Sequence, residues 1–225
     1  KVSFPHIEDV ILHLVNLSIK NNDFAKIWKV QLVKPLHKKK DKLEGLNYRP
    51  VSLIIQVSKI VEYVVHDQVY THFTNENIFH ENHHGFLEKH STATALIQIY
   101  DLWLEAIENK EISAALLLDL SAAFDIIPHD ILLKKLKIYK FSENTINWFK
   151  AYLSSRKQYV QIESKTSEPE DLGDTGVPQG SVLGPLIFLI FYNDFPATAI
   201  EGNSCLLYTS DAADDSLRVD LGGRR

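Results

Sequence analysis

The chain has 225 residues, 45% of them hydrophobic and 24% charged, with a formal net charge of -5. That is enough apolar material for one core, in a single or lobed domain. The acidic balance excludes a uniformly basic nucleic-acid binder but not a local basic strip, and the single cysteine, Cys205, excludes an intrachain disulfide or a thiolate zinc cluster.

One cysteine fits a reducing compartment. The longest apolar run, residues 186–192, falls far short of the ~20 residues that a membrane span needs, and no secretory signal pattern opens the chain. The sequence begins at Lys1 and contains no methionine, which points to an internal fragment or a processed piece.

In chain order, Ile7, Val10, Ile11, Leu14, Val15 and Leu17 recur at helical spacing and predict a first helix. After Asp23-Phe24, Val30, Leu32 and Val33 alternate as in a strand. A basic turn follows, with Lys34, Lys38, Lys39, Lys40 and Lys42 around His37. The chain turns again at Pro50, and a long amphipathic helix is predicted over about 58–73. Residues 74–92 are polar and loop-like. The next helix has Thr or Ser near its cap and Leu96, Ile99, Leu102 and Leu104 on its predicted inward side.

The segment Ala114 to Leu118 predicts a buried strand, and a helix follows over about 130–137. Ser142 and Glu143 give the next helix a good start. Residues 157–164 alternate as a strand, expected to pair with a second one near 170–175. "GVPQGSVLGP" is a Gly/Pro loop running into a helix whose first turn holds Pro185, a position where proline fits. Helices and mostly antiparallel strands mix without a regular β-α-β alternation, so the predicted fold class is α+β.

Three groups of residues carry chemistry. Asp119 ends an apolar strand, so its carboxylate would emerge at a fixed place at the sheet edge. It could hold a divalent ion such as Mg2+ or cap the next element. Asp125, six residues on, could instead hold the turn at Pro128. Phe124 beside it is either a core ring or a wall against a sugar 2′-hydroxyl. In the second group, Gly176, Gly180 and Gly184 allow close backbone approach, and Gln179 is a neutral hydrogen-bonding side chain at a helix entrance. Lys38 and Arg49 form the third, two cations flanking a hairpin turn where a triphosphate could sit, or solvated charges.

Six stretches in order, "WKVQLVKPLHKKKD", "NYRPVSL", "HHGFLEKHST", "LLLDLSAAFDIIPHDILLKKL", "WFKAYLSSRKQYV" and "GVPQGSVLGPLIFLIFYND", resemble the reverse transcriptase domain of non-LTR retrotransposons of the jockey and chicken-repeat kind. The resemblance implies a right-hand polymerase fold, with fingers and part of the palm in this chain and the thumb absent. It implies RNA-directed DNA polymerase activity in the parent protein, with two Mg2+ ions, an RNA template, a DNA primer and deoxynucleoside triphosphates as partners, no membrane, and a nuclear or cytoplasmic location. By the same resemblance Asp119 is the catalytic metal ligand, helped by the Leu120 carbonyl. Phe124 is the sugar gate, Lys38 and Arg49 meet the triphosphate, and Gln179 with Gly180 contacts nucleotide and template. The sequence departs from the pattern at His83-His84, where Gln-His or Gln-Phe is usual, and at Leu87, usually Arg.

The family supplies further metal ligands from a Tyr-Ala-Asp-Asp hairpin. Here Tyr208 is followed by Thr209-Ser210, and the pair Asp214-Asp215 comes after two alanines. These two carboxylates are the remaining metal candidates, ahead of Asp211. The expected organisation is a helical lead-in over 1–27, the polymerase fragment over 28–204 and a non-native tail over 205–225. This fragment itself is expected to be inactive. The rival expectation is a non-catalytic nucleic-acid-binding remnant, and the third a structural α+β domain without a ligand.

Overall fold

The computed structural model describes residues 4–37, 41–114 and 123–196. Six α-helices and a five-stranded mixed sheet occur among them, in keeping with the α+β expectation. Helix α1 (Phe4–Lys20) leads through a short 3-10 turn into strand β1 (Val30–His37), and a second 3-10 turn precedes β2 (Tyr48–Leu53). Next come α2 (Gln56–Asn75), α3 (Thr92–Glu108), α4 (His129–Ile138) and α5 (Glu143–Leu153). Strands β3 (Lys157–Ile162), β4 (Lys165–Thr166) and β5 (Glu170–Asp171) precede the last described helix, α6 (Leu183–Tyr192). The predicted strand at Ala114 to Leu118 falls almost wholly outside the described residues.

The sheet runs β2-β1-β3-β4, with β5 also on β3. The pairings are antiparallel except for β1 with β3, which is parallel. The predicted partner strand near 170 is present as β5 on β3. Pro35 faces Pro50 across the hairpin, so the two missing N–H groups coincide at one pair and the rest of the ladder is spared. The alternation read into β1 has a different buried set. Gln31 and Val33 are buried, while Val30 is exposed and Leu32 only half-buried, because the sheet's covered face takes the odd-numbered positions.

Local side-chain caps start α3 and α5. The Ser91 hydroxyl accepts from the Thr94 N–H and the Thr94 hydroxyl accepts from the Ser91 N–H, a reciprocal box at the head of α3. The Ser142 hydroxyl accepts from the Thr145 N–H at 3.2 Å and starts α5.

The predicted inward side of α3 is corrected in part: Ile99 and Leu102 are half-buried, whereas Leu96 and Leu104 are not. Leu96 and Leu104 are 63% and 42% exposed, and Ala95 is the buried position. Apolar residues cover more than half of this helix's circumference, so their period leaves open which part of the arc is buried. Polar anchors choose it: His84 bonds both the Thr94 hydroxyl and the Gln98 side chain, at 3.0 and 2.6 Å.

The core gathers α2 (Val61, Val65, Val69, Phe73), α4 (Leu132, Leu136), α5 (Trp148, Phe149, Tyr152) and α6 (Leu183, Leu186, Ile187, Phe188, Ile190). Phe24 packs against α5, with its ring edge-on to Trp148 at 5.8 Å and to Tyr152 at 5.0 Å. Helix α6 is apolar on nearly every side and lies buried in this core. Among the described residues no helix is long and apolar enough to cross a membrane.

Candidate functional site

Two loops far apart in sequence are laced together beside α6. The Val177 N–H donates to the Phe124 carbonyl at 2.9 Å, the Gly176 N–H to the Ile127 carbonyl at 2.8 Å, and the His129 N–H to the Asp174 carbonyl at 3.0 Å. The His129 ring adds a 2.7 Å hydrogen bond from Nε2 to the Gly176 carbonyl. Gly176 has φ +81° at a point where a Cβ would collide with the Asp125 backbone, so only glycine fits.

This lacing carries Gln179 to the Asp125 carboxylate, to which its Nε2 donates at 3.2 Å. The carboxylate thus meets the second loop, a relation that the reading of Asp125 as the holder of the Pro128 turn did not contain. On its other side the turn rests on β2. The Ser52 N–H donates to the Gln179 carbonyl at 3.2 Å, and Gly180, at φ +98°, lies against the Ser52 carbonyl. Gly176 and Gly180 therefore serve close approach to this chain's own backbone.

The structure brings Phe124, Gln179 and Gly180 together, with Arg49 half-buried on the same strand as Ser52 and paired in register with Leu36. The Phe124 ring is 5% exposed and packs on Phe86 at 6.1 Å and Phe188 at 5.5 Å between centroids. Lys38, Asp119, Leu120, Asp214 and Asp215 lie outside the described residues. Among the described residues, no group of three or more His, Cys, Asp or Glu side chains could hold a metal ion.

The departures at His83 and His84 fall in the interior, since both rings are buried. His84 organises the head of α3, as above. The loop around His83 is tied to the end of α6 by Asn193, whose Oδ1 accepts from the His80 N–H at 2.9 Å and whose Nδ2 donates to the Ile78 carbonyl at 2.8 Å. Burial, reinforced by His80, pulls the His83 ring down to about 4.

Sequence reasoning missed Glu62. It is fully buried, and its Oε2 accepts from the Val182 N–H at 2.7 Å and the Leu183 N–H at 3.4 Å, at the exit of the Pro178-Gln179-Gly180 turn. Burial pushes its carboxyl above the usual carboxylate range, against the opposing pull of Arg156 and of these two N–H groups. A signal was available. Glu62 stands in helical register with the buried residues Ser58, Val65 and Val69, and a lone carboxylate on an apolar stripe needs a partner.

The chain matches the family "Reverse transcriptase (RNA-dependent DNA polymerase)" over residues 37–217. It is 32% identical over 184 residues to the probable RNA-directed DNA polymerase from transposon BS of Drosophila melanogaster, covering 81% of this chain and 20% of that protein. Against the probable RNA-directed DNA polymerase from transposon X-element of the same fly, identity is 31% over 199 residues, 87% of this chain and 22% of the relative. For the RNA-directed DNA polymerase from mobile element jockey the figures are 32% over 198 residues, 86% and 21%. The chain belongs to the reverse transcriptase family, and it spans about a fifth of the length of these relatives.

Proposed function

We propose that the chain is the fingers and part of the palm of an RNA-directed DNA polymerase from a non-LTR retrotransposon, whose parent polypeptide copies an RNA template onto a DNA primer. The observation that supports this beyond family membership is the lacing of the Phe124-Asp125 loop to the Pro178-Gln179-Gly180 turn, with β2 alongside. Phe124, Gln179 and Gly180, three of the residues expected to touch a nucleotide, thereby share one patch of the protein.

In this reading the primer 3′-hydroxyl attacks the α-phosphate of a deoxynucleoside triphosphate, forming the new phosphodiester bond and expelling pyrophosphate. Arg49, with Lys38, balances the triphosphate charge. Gln179 hydrogen-bonds the incoming nucleotide and its template base, and Phe124 borders the sugar. Asp119 and the Leu120 carbonyl are hard oxygen donors of the kind that suits Mg2+, with Asp214 and Asp215 as the further candidates. When bound, Mg2+ supplies activation of the attacking oxygen and stabilisation of the pyrophosphate.

The activity is proposed for the parent polypeptide; the 225-residue piece is expected to extend primers little or not at all. The foreign origin of residues 205–225 is a separate proposal, and the family match, which runs to residue 217, does not support it. Sequencing intact genomic DNA past Ser204 tests it, with an uninterrupted Tyr-Ala-Asp-Asp in its favour and an encoded Ser210 to Arg225 against it. Primer extension by the full-length polypeptide, with Asp119→Ala as the control, tests the polymerase reading. Extension that vanishes in the variant supports it. Binding of template-primer without extension identifies a non-catalytic nucleic-acid-binding remnant instead.

A further inference from the structure

We propose that Glu62 is the positioning residue for the Pro178-Gln179-Gly180 turn, and that its carboxylate sets where Gln179 meets nucleotide and template. The proposal rests on the role given to Gln179 above.

An α-helix leaves its first four N–H groups without partners inside the helix. At the start of α6 all four are accounted for. Glu62 takes those of Val182 and Leu183, the Ser181 hydroxyl accepts from Gly184 at 2.9 Å, and Pro185 has none to offer. The local capping side chain, Ser181, is already committed. The remaining two groups are served by a residue 120 positions away in sequence, on a different helix. A local cap holds a helix end to itself; a cap reaching across from α2 also fixes the axial position and rotation of α6 relative to α2.

The turn is clamped on both sides as a result. Ser52 holds it by a hydrogen bond at Gln179, with Gly180 lying close against its carbonyl, and Glu62 holds it at Val182 and Leu183. The Glu62 carboxylate is held through its Oε2, and a positive charge acts on it. Arg156 supplies the nearby positive charge, and it is pinned by a 2.8 Å bond from its Nε to the Tyr152 carbonyl and by the Tyr152 and Phe24 rings, at 4.3 and 5.5 Å from the guanidinium carbon. A buried carboxylate is a costly way to cap a helix. The cost is intelligible where the object being held is a turn whose side chain must meet a ligand in one geometry.

Two measurements test this. In the 225-residue chain, amide exchange at Val182 and Leu183 should rise about tenfold in Glu62→Leu, more than at Gly184, and much less in Glu62→Gln, which keeps an acceptor. In the full-length polymerase, Glu62→Leu should raise the KM for deoxynucleoside triphosphates about tenfold with a smaller change in kcat, and Glu62→Gln should restore it to within about threefold. Adding Glu62→Leu to Gln179→Ala should raise KM little further, because both act through one side chain.

A folded Glu62→Leu chain with unchanged exchange at Val182 and Leu183 overturns the clamp. A KM that stays constant while kcat falls in step with thermal stability reduces Glu62 to a structural cap and overturns the positioning role. If the wild-type polypeptide extends no primer, the polymerase reading fails by itself, and the exchange experiment still judges the clamp.

Discussion

The backbone of Gly176 runs so close to that of Asp125 that a Cβ on Gly176 would stand 2.8 Å from the Asp125 carbonyl oxygen. With φ at +81° the position is also in the left-handed region. Gly176→Ala is therefore expected to destabilise the fold by about 2–4 kcal/mol, from backbone strain and a contact that only a shift of one loop can relieve. Gly173→Ala is the control. It shares a positive φ of +71° but has nothing within 4 Å of an added Cβ, so it should lose only about 1 kcal/mol. Urea unfolding of the two variants checks this, and equal losses would remove the steric part of the argument.

Ser18 links α1 to α5. Its hydroxyl donates to the Asp23 carbonyl at 2.5 Å and accepts from the Trp148 indole N–H at 3.0 Å, in a buried position. Ser18→Ala should cost about 1–3 kcal/mol, chiefly because the indole N–H is left without its acceptor. Adding Trp148→Phe to Ser18→Ala removes the stranded donor. The double variant should therefore lose less than the sum of the singles when thermal unfolding is compared across the four proteins.

The legible part of the fold was the part governed by local rules. Ser91 and Ser142 cap where their sequence context says they should, and Pro185 sits in the first turn of α6. The α2 helix extends two residues past each predicted end, and the pairing of β5 with β3 follows the expected strands. What escaped was set by tertiary partners. Leu96 and Leu104 face outward because His84 grips Thr94 and Gln98. Glu62 read as one polar residue on an amphipathic helix because its partners, Val182 and Leu183, lie 120 and 121 positions further on. At the candidate site, the Gly/Pro loop running into a helix was legible from its motif, but the Asp125 partner of Gln179 became visible only once the two loops were laced.

Phe124 carries two expectations that can be separated. As a ring packed on Phe86 and Phe188 with 5% exposure, it should cost about 3–5 kcal/mol when cut to alanine, whereas Phe124→Leu should cost under about 1.5 kcal/mol. As a wall against a 2′-hydroxyl, it should lose selectivity even in the mild variant. In the full-length polymerase, Phe124→Leu is expected to raise the ratio of ribonucleotide to deoxyribonucleotide kcat/KM about tenfold or more. Single-nucleotide incorporation measures the ratio, and an unchanged value in a stable Phe124→Leu protein would assign the ring to the core alone.

His83 gives the fold a pH dependence of defined sign. Its ring has no exposed surface, and burial first, then the neighbouring His80, lowers it from the ordinary 6.5 to about 4, partly offset by a backbone contact from Tyr192. Between those values the unfolded chain binds a proton that the folded chain does not. Stability from this group is therefore complete above pH 6.5, falls as pH drops toward about 4, and changes no further below that. The full span corresponds to roughly 3 kcal/mol. His66, also lowered by burial, acts in the same direction, while Glu62, raised by burial, acts in the opposite one. The informative quantity is thus the difference between wild type and His83→Gln, with Gln chosen because that residue is common at this place in the pattern the sequence resembles. Between pH 7 and pH 4.5 the wild-type urea midpoint should fall relative to that of the variant as the pH drops, because the wild type alone loses this contribution. Parallel curves would mean that the folded and unfolded chains take up this proton at the same pH, so that the burial of the ring has been compensated by a partner able to hold the charge.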